Sequence, residues 1–336
     1  MDLRGTTRQV VTSLSGWLGE PGEPGPLVVE TSGSTGAPKR VMLPRSAVLA
    51  SVRATERRLG GVGQWLVALP ASYVAGAQVI CRSLVAGHEP VLLEEHGSFS
   101  EAAAAMASDR FVSLVPTQLH RMLDTPADVE ALRTFRAVLL GGGPVDPTLR
   151  SRASEAEVRV VATYGSAETA GGCVYDGYAL DGVALATDRD GRLRVSGPTL
   201  FEGYQDNPEL TAEVLVDGWF LTSDAARIDE DGRLQVLGRI DDMVVSGGVN
   251  VPAAAVAARL REHPSVTAVE VLGVPDNEWG SRVVAFVVGD VTLDEARDWV
   301  GKKQPRSWAP RDLVRLDEIP MLGNGKPDRV RLQALA

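Results

Sequence analysis

The stretch Thr31-Ser32-Gly33-Ser34-Thr35-Gly36-Ala37-Pro38-Lys39 follows an apolar run, Leu27-Val28-Val29, that reads as a strand. Its glycines let the backbone turn so that successive N–H groups converge on one point, an anion-binding nest. The hydroxyls add donors, and Lys39 adds a point charge suited to phosphate. An ordinary strand-to-strand turn uses the same residue types, so alone the stretch leaves both readings open. It is not a Walker A loop, because Lys39 follows Pro38 and precedes Arg40. Val41-Met42-Leu43 reads as a second strand, so the loop is expected between two strands.

The rest of the chain sets limits. Its 336 residues leave room for two domains. A formal net charge of −10 argues against nucleic acid or an anionic membrane as the main partner. The opening Met1-Asp2-Leu3-Arg4 has no apolar signal core, and no run approaches the length of a membrane span. A cytoplasmic protein without membrane insertion is expected. Cys81 and Cys173 are too few for a disulfide framework or a metal cluster and read as buried small residues.

Downstream, the apolar spacing of 45–59 predicts a helix with Pro44 just before it. Strands are expected at 64–69, 90–93, 111–115, 137–140 and 158–164. Between them, helical segments are expected at 73–86, from the Ser98-x-x-Glu101 capping box to Ala107, at 117–123 and at 147–153. That alternation points to an α/β fold with a buried parallel or mixed sheet. Short strands with Asp190-Gly191 and Asp231-Gly232 turns follow, forming a small β-rich unit. Beyond Gly238-Arg239-Ile240-Asp241-Asp242, alternating helix and strand predict a compact second domain.

Several clusters could carry chemistry. Tyr164-Gly165-Ser166-Ala167-Glu168-Thr169 follows a strand, where ligands usually bind in such sheets. Glu168 is a hard ligand suited to Mg²⁺ shared with phosphates, or simply an acid in the first turn of a helix. Gly141-Gly142-Gly143 could admit a flat ring close to backbone, or form a tight turn. Asp224, Arg239 and the loop lysine Lys326 could each be a plain surface charge. No Ser/His/Asp or Cys/His arrangement appears, so an enzyme built from these parts would act by positioning and charge.

Taken together, Thr31–Lys39, Tyr164–Thr169, Gly218–Asp224, Gly238–Asp242, Ser246-Gly247-Gly248 and Gly325-Lys326 occur in the order of the adenylate-forming superfamily, which the chain resembles. The resemblance implies a large N-terminal domain (1–239) that binds ATP and acid, with a β-rich subunit, and a small mobile C-terminal α+β domain (240–336) hinged at Asp241. It implies that Thr31, Ser32, Gly33, Ser34, Thr35, Gly36 and Lys39 hold the β/γ-phosphates of ATP. Gly141, Gly142, Gly143, Tyr164 and Gly165 would line the adenine, Glu168 would bind Mg²⁺, and Thr169 would lie near the α-phosphate. Asp224 would take the ribose hydroxyls with help from Arg239. Lys326 would stabilise charge during adenylation, and Ser246, Gly247 and Gly248 would line the tunnel for coenzyme A.

Within the superfamily, the early phosphate loop, Pro116-Thr117-Gln118-Leu119 and Leu69-Pro70-x-x-Tyr73-Val74-Ala75-Gly76 look like the short o-succinylbenzoate–CoA ligases of menaquinone synthesis. Gly76 and Thr117 would then line the acid pocket. Arg82, the one charge in the apolar 73–86 segment, is the candidate for the second carboxylate, or else an Arg that pairs with an acidic neighbour. The expected partners are therefore a carboxylic acid, ATP and CoA, in a protein that could be a homo-oligomer. A ligase for another acid, a stand-alone adenylation domain serving a carrier protein, and a non-catalytic nucleotide-binding regulator are the alternatives. Ser72, Val249, Ala253–Ala255 and Pro327 depart from common family residues, mostly in the acid and thiol regions.

Overall fold

The computed structural model describes residues 1–31, 39–107, 109–321 and 327–336. The chain divides into two compact units. One comprises Met1–Ala186, Arg194–Thr222 and Asp229–Leu234, the other Thr187–Leu193, Ser223–Ile228 and Gln235–Ala336.

The first unit is built on a seven-stranded sheet. Its order is Val91–Leu92, Gln64–Val67, Arg110–Leu114, Phe135–Leu140, Val160–Ser166, Gly171–Tyr175 and Tyr178–Ala179. The first five strands are parallel and the last two antiparallel. Side chains alternate across a strand, so each apolar strand feeds two cores. Trp65, Val67, Phe111 and Leu139 join one, packed on the helices Thr7–Gly19, Arg45–Leu59 and Val74–Val85. Leu66, Val112, Val138 and Leu140 join the other, packed on Phe99–Ala104, Pro116–Met122, Pro126–Arg133 and Pro147–Glu155.

The strands Leu27–Thr31 and Lys39–Leu43 pair antiparallel, with Thr31 opposite Lys39, so the Thr31–Lys39 stretch does join two strands. Gly203–Tyr204 pairs on the free edge of the second strand. The expected capping box is half formed. Ser98 Oγ accepts the Glu101 N–H at 3.1 Å, but Glu101 reaches the Gly97 N–H, and the helix stops at Ala104. A tightened turn, with the Met106 N–H on the Ala103 carbonyl, buries Met106 instead of continuing the helix. In the β-rich segment, where short strands are expected, Trp219–Ile228 is one long strand.

The second unit contains a sheet in the order Val249–Pro252, Met243–Ser246, Gly280–Gly289, Val266–Asp276, with Asp312–Arg315 parallel to Gly280–Gly289. Helices Ala253–Arg261 and Leu293–Gly301 cover one face through Val256, Leu260 and Val300. Leu332 packs with Leu272, Val284 and Phe286. Among the described residues no helix is long and apolar enough to cross a membrane. Both cysteines are free and buried, and burial pushes each thiol up to about 12.

Candidate active site

Because the central strands run parallel, the segments that leave their carboxyl ends share one edge of the sheet, where such folds bind ligands. Those segments are 68–73, 115–117, 141–143 and 167–169. They are locked together. Gln118 donates through Nε2 to the Ala68 carbonyl (2.9 Å) and accepts the Val115 N–H through Oε1 (3.0 Å). The Gly141 N–H donates to the Leu114 carbonyl at 3.1 Å. A Cβ on Gly76 would collide with the Pro70 carbonyl, and one on Gly141 with Thr163 Oγ1. Gly142 has φ +77°, while Gly143 faces open space. This edge thus gathers Gly76, Thr117, Gly141–Gly143 and Tyr164–Thr169.

The turn that carries Glu168 is held from several sides. The Ser166 N–H donates to Thr169 Oγ1 (2.9 Å), and that hydroxyl donates to the Gly171 carbonyl (2.7 Å). Thr169 therefore shapes the turn. Ala170 adopts φ +49°, uncommon for a residue with a Cβ. Its carbonyl accepts from Gln78 Nε2 (2.8 Å) and Ser51 Oγ (3.1 Å), both buried. A Cβ on Gly165 would collide with the Gly171 carbonyl, at a register shift between the two strands. Ser166 Oγ is buried without a partner among the described residues.

Glu168 is 9% exposed. Its Oε1 accepts the Tyr204 hydroxyl at 2.8 Å. Burial first, then the neighbouring Glu168 charge, raises the Tyr204 pKa, so the phenol remains a donor. Lys39 Nζ lies 5.4 Å from the centroid of the Tyr204 ring. Strand pairing puts Tyr204 there, opposite Val41, with the Gln205 N–H on the Arg40 carbonyl at 2.8 Å. Arg40 also reaches Asp2 (2.6 Å), Glu30 (3.2 Å) and Gln205 Oε1 (3.0 Å), tying the base of the hairpin. Nothing in the sequence marks Tyr204. Asn207-Pro208 signals a helix start nearby, but the partner carboxylate lies 36 residues earlier.

Among the described residues no three His, Cys, Asp or Glu side chains gather to hold a metal. A single buried carboxylate, with one oxygen committed to Tyr204, does not build a protein cage. It does suit Mg²⁺, which takes one or two carboxylates and completes its shell with phosphate oxygens and water.

Ser32, Gly33, Ser34, Thr35, Gly36 and Lys326 lie outside the described residues. The flanks of 32–38, Thr31 and Lys39, are paired residues of the hairpin strands. Arg82, in the first unit, does not lie at the common edge. It lies eight residues beyond the start of its helix, about 12 Å along the axis. It is 4% exposed, stacked 5.1 Å from the Trp65 ring with Nη2 3.4 Å from the Tyr175 hydroxyl. Its Nε has no partner among the described residues.

In the second unit, Asp224 and Arg239 form an ion pair at 3.7 Å from adjacent strands. Asp241 is exposed in the short turn Ile240–Asp242. Ser246 pairs with Val249, and Gly247 (φ +58°) and Gly248 (φ +78°) make the two-residue turn between them. Positive φ at both positions is what a type I′ hairpin requires. Ser246 Oγ, buried, accepts Arg311 Nε at 3.2 Å, and the Arg311 guanidinium stacks 3.4 Å from the Trp279 ring centroid.

The model of the AMP-binding enzyme family matches residues 27–189, and that of the AMP-binding enzyme C-terminal domain matches 255–326. A probable 2-succinylbenzoate–CoA ligase of Mycobacterium tuberculosis is 42% identical over 319 residues, covering 91% of this chain and 83% of that protein. A 2-succinylbenzoate–CoA ligase of Listeria monocytogenes is 31% identical, covering 91% and 69%. The o-succinylbenzoate CoA synthetase of Bacillus subtilis, solved with the acyl-adenylate OSB-AMP, superposes with a TM-score of 0.73 at 27% identity, covering 91% of this chain and 68% of that one. The chain belongs to the AMP-binding enzyme family, the adenylate-forming superfamily that its ordered motifs resemble.

Proposed function

We propose that the protein is an ATP-dependent acid–thiol ligase that adenylates o-succinylbenzoate and passes the acyl group to coenzyme A. The observation that carries this reading is the shared strand edge, which gathers Gly76, Thr117, Gly141–Gly143 and Glu168 in a chain 42% identical to a probable 2-succinylbenzoate–CoA ligase.

A carboxylate oxygen of the acid attacks the α-phosphorus of ATP, the bond to the β-phosphate oxygen breaks, and pyrophosphate leaves. The thiol sulfur then attacks the acyl carbon, the bond to AMP breaks, and the thiol proton passes to solvent. Thr31, the hairpin loop and Lys39 hold the β/γ-phosphates. Gly141–Gly143, Tyr164 and Gly165 border the nucleotide; at Gly141 and Gly165 a Cβ would meet Thr163 Oγ1 and the Gly171 carbonyl, so glycine is required there. Glu168 holds Mg²⁺ and Thr169 fixes its turn. When bound, the metal offsets negative charge on the phosphate oxygens. Asp224 takes the ribose hydroxyls while Arg239 holds its carboxylate. Lys326 stabilises charge in the first step. Asp241 is the hinge between domains 1–239 and 240–336, and Ser246-Gly247-Gly248 borders the thiol path.

ATP–pyrophosphate exchange with Mg²⁺ and a panel of carboxylic acids, followed by CoA, tests the reading. Exchange driven by o-succinylbenzoate, with thioester on adding CoA, supports it. Exchange with another acid only would keep the adenylation chemistry and overturn the substrate.

A further inference from the structure

The Tyr204 side chain lies between two opposite charges, and the mechanism above gives it no task. Its hydroxyl donates to Glu168 Oε1 at 2.8 Å, and Lys39 Nζ lies 5.4 Å from the centroid of its ring. No ion pair joins Lys39 and Glu168 directly, although each is the natural partner of the other. A carboxylate paired with lysine would be a poor metal ligand, and a lysine paired with glutamate a poor phosphate ligand. The aromatic ring satisfies both without neutralising either. The ring face attracts the ammonium through its quadrupole, and the hydroxyl fixes one carboxylate oxygen and leaves Oε2 without a partner among the described residues. The geometry points to Tyr204 as a positioning residue that keeps Lys39 and Glu168 apart, so that one is free for phosphate and the other for the metal.

Several features hold Tyr204 in this place. Backbone pairing to Val41 sets its height, Phe201 packs edge-on at 5.1 Å, and the Phe201 N–H donates to the Glu168 carbonyl at 2.9 Å. Thr211 Oγ1 accepts the Tyr204 N–H at 2.9 Å. The ring is therefore held independently of its hydroxyl, and Tyr204→Phe removes only the donor.

This role rests on the reading of Glu168 as the Mg²⁺ ligand, and the test separates the two. The affinity for α,β-methylene-ATP is measured by calorimetry with and without Mg²⁺, for wild type, Tyr204→Phe, Tyr204→Leu and Glu168→Gln, with melting temperatures as a fold control. Loss of a hydrogen bond that orients a metal-binding carboxylate typically weakens metal binding about 10–100-fold. In Tyr204→Phe the Mg²⁺-dependent gain in affinity should fall about tenfold, with metal-free affinity within twofold of wild type. In Tyr204→Leu, where Lys39 can collapse onto Glu168, metal-free affinity should fall as well. An unchanged Mg²⁺ gain in Tyr204→Phe, with the gain lost in Glu168→Gln, would overturn the role of Tyr204 and keep the metal reading. An unchanged gain in Glu168→Gln would overturn both. Equal losses with and without Mg²⁺ in Tyr204→Phe would make the hydroxyl merely structural and also overturn the proposal.

Discussion

The carbonyl of Ala170 anchors the Glu168 turn through two buried donors, Ser51 Oγ and Gln78 Nε2. The two contacts are redundant for the carbonyl but not for stability. Ser51→Ala removes one net hydrogen bond, about 1 kcal/mol, and leaves the carbonyl satisfied by Gln78. Gln78→Met also removes one bond, but it discards Gln78 Oε1, which is buried without a partner among the described residues. Losing that orphan returns about 1–3 kcal/mol, so Gln78→Met is expected to be neutral or slightly stabilising. The double variant leaves the Ala170 carbonyl buried and alone, adding a penalty of about 1–3 kcal/mol that neither single change carries. A double-mutant cycle should therefore show a coupling of about 1–3 kcal/mol, well beyond the ~0.5 kcal/mol scatter of independent sites. Urea unfolding followed by both far-ultraviolet circular dichroism and tryptophan fluorescence measures it, since two probes expose units that unfold separately. Additive effects would refute the shared-acceptor argument. A Gln78→Met variant destabilised by more than about 2 kcal/mol would refute the orphan argument.

Gly165→Ala should nearly abolish pyrophosphate exchange and lower the melting temperature, because its Cβ meets the Gly171 backbone; wild-type exchange would show that the strands can separate there. Arg82→Lys should lower the melting temperature without changing the preferred acid, given its place against Trp65 and Tyr175; a selective rise in KM for o-succinylbenzoate would instead assign it to the second carboxylate. Each thiol rises from 9.0 to about 12 on folding, so the unfolded chain loses these protons first as pH rises. Stability contributed by the neutral thiols is complete below pH 9 and should fall by about 1.4 kcal/mol per thiol per pH unit as the pH climbs towards 12. Urea midpoints of wild type and Cys81→Ala/Cys173→Ala across that window should converge as the pH rises.

Elements with a strong apolar period were legible from sequence. The helix Arg45–Leu59 and the hairpin strands Leu27–Thr31 and Lys39–Leu43 are where their patterns placed them. The helix Pro126–Arg133 was not foreseen, because it buries only Ala131 and Leu132 and carries no stripe. The Met243–Ser246 and Val249–Pro252 strands are hidden in the sequence because Ser246-Gly247-Gly248 reads equally as a glycine-rich binding loop and as a hairpin turn. The shared edge followed from strand order and parallel register, which sequence alternation only suggests. For Arg82, an isolated charge in an apolar helix correctly implied burial, but composition carries no information about which end of the core it reaches. Tyr204 was illegible because its meaning lies wholly in partners distant in sequence.

The third strand of the hairpin sheet, Gly203–Tyr204, has a consequence for biosynthesis. Arg40 and Gln205, joined across that sheet, are 165 residues apart. At about 5–20 residues per second, a ribosome needs roughly 8–33 s to travel between them. Throughout that time the emerging Lys39–Leu43 strand has one row of backbone donors and acceptors uncovered, an invitation to pair with a neighbouring nascent chain. Lys39 and Arg40 sit on that strand as charges that discourage such pairing, so the edge is guarded in the interval before its third strand is made.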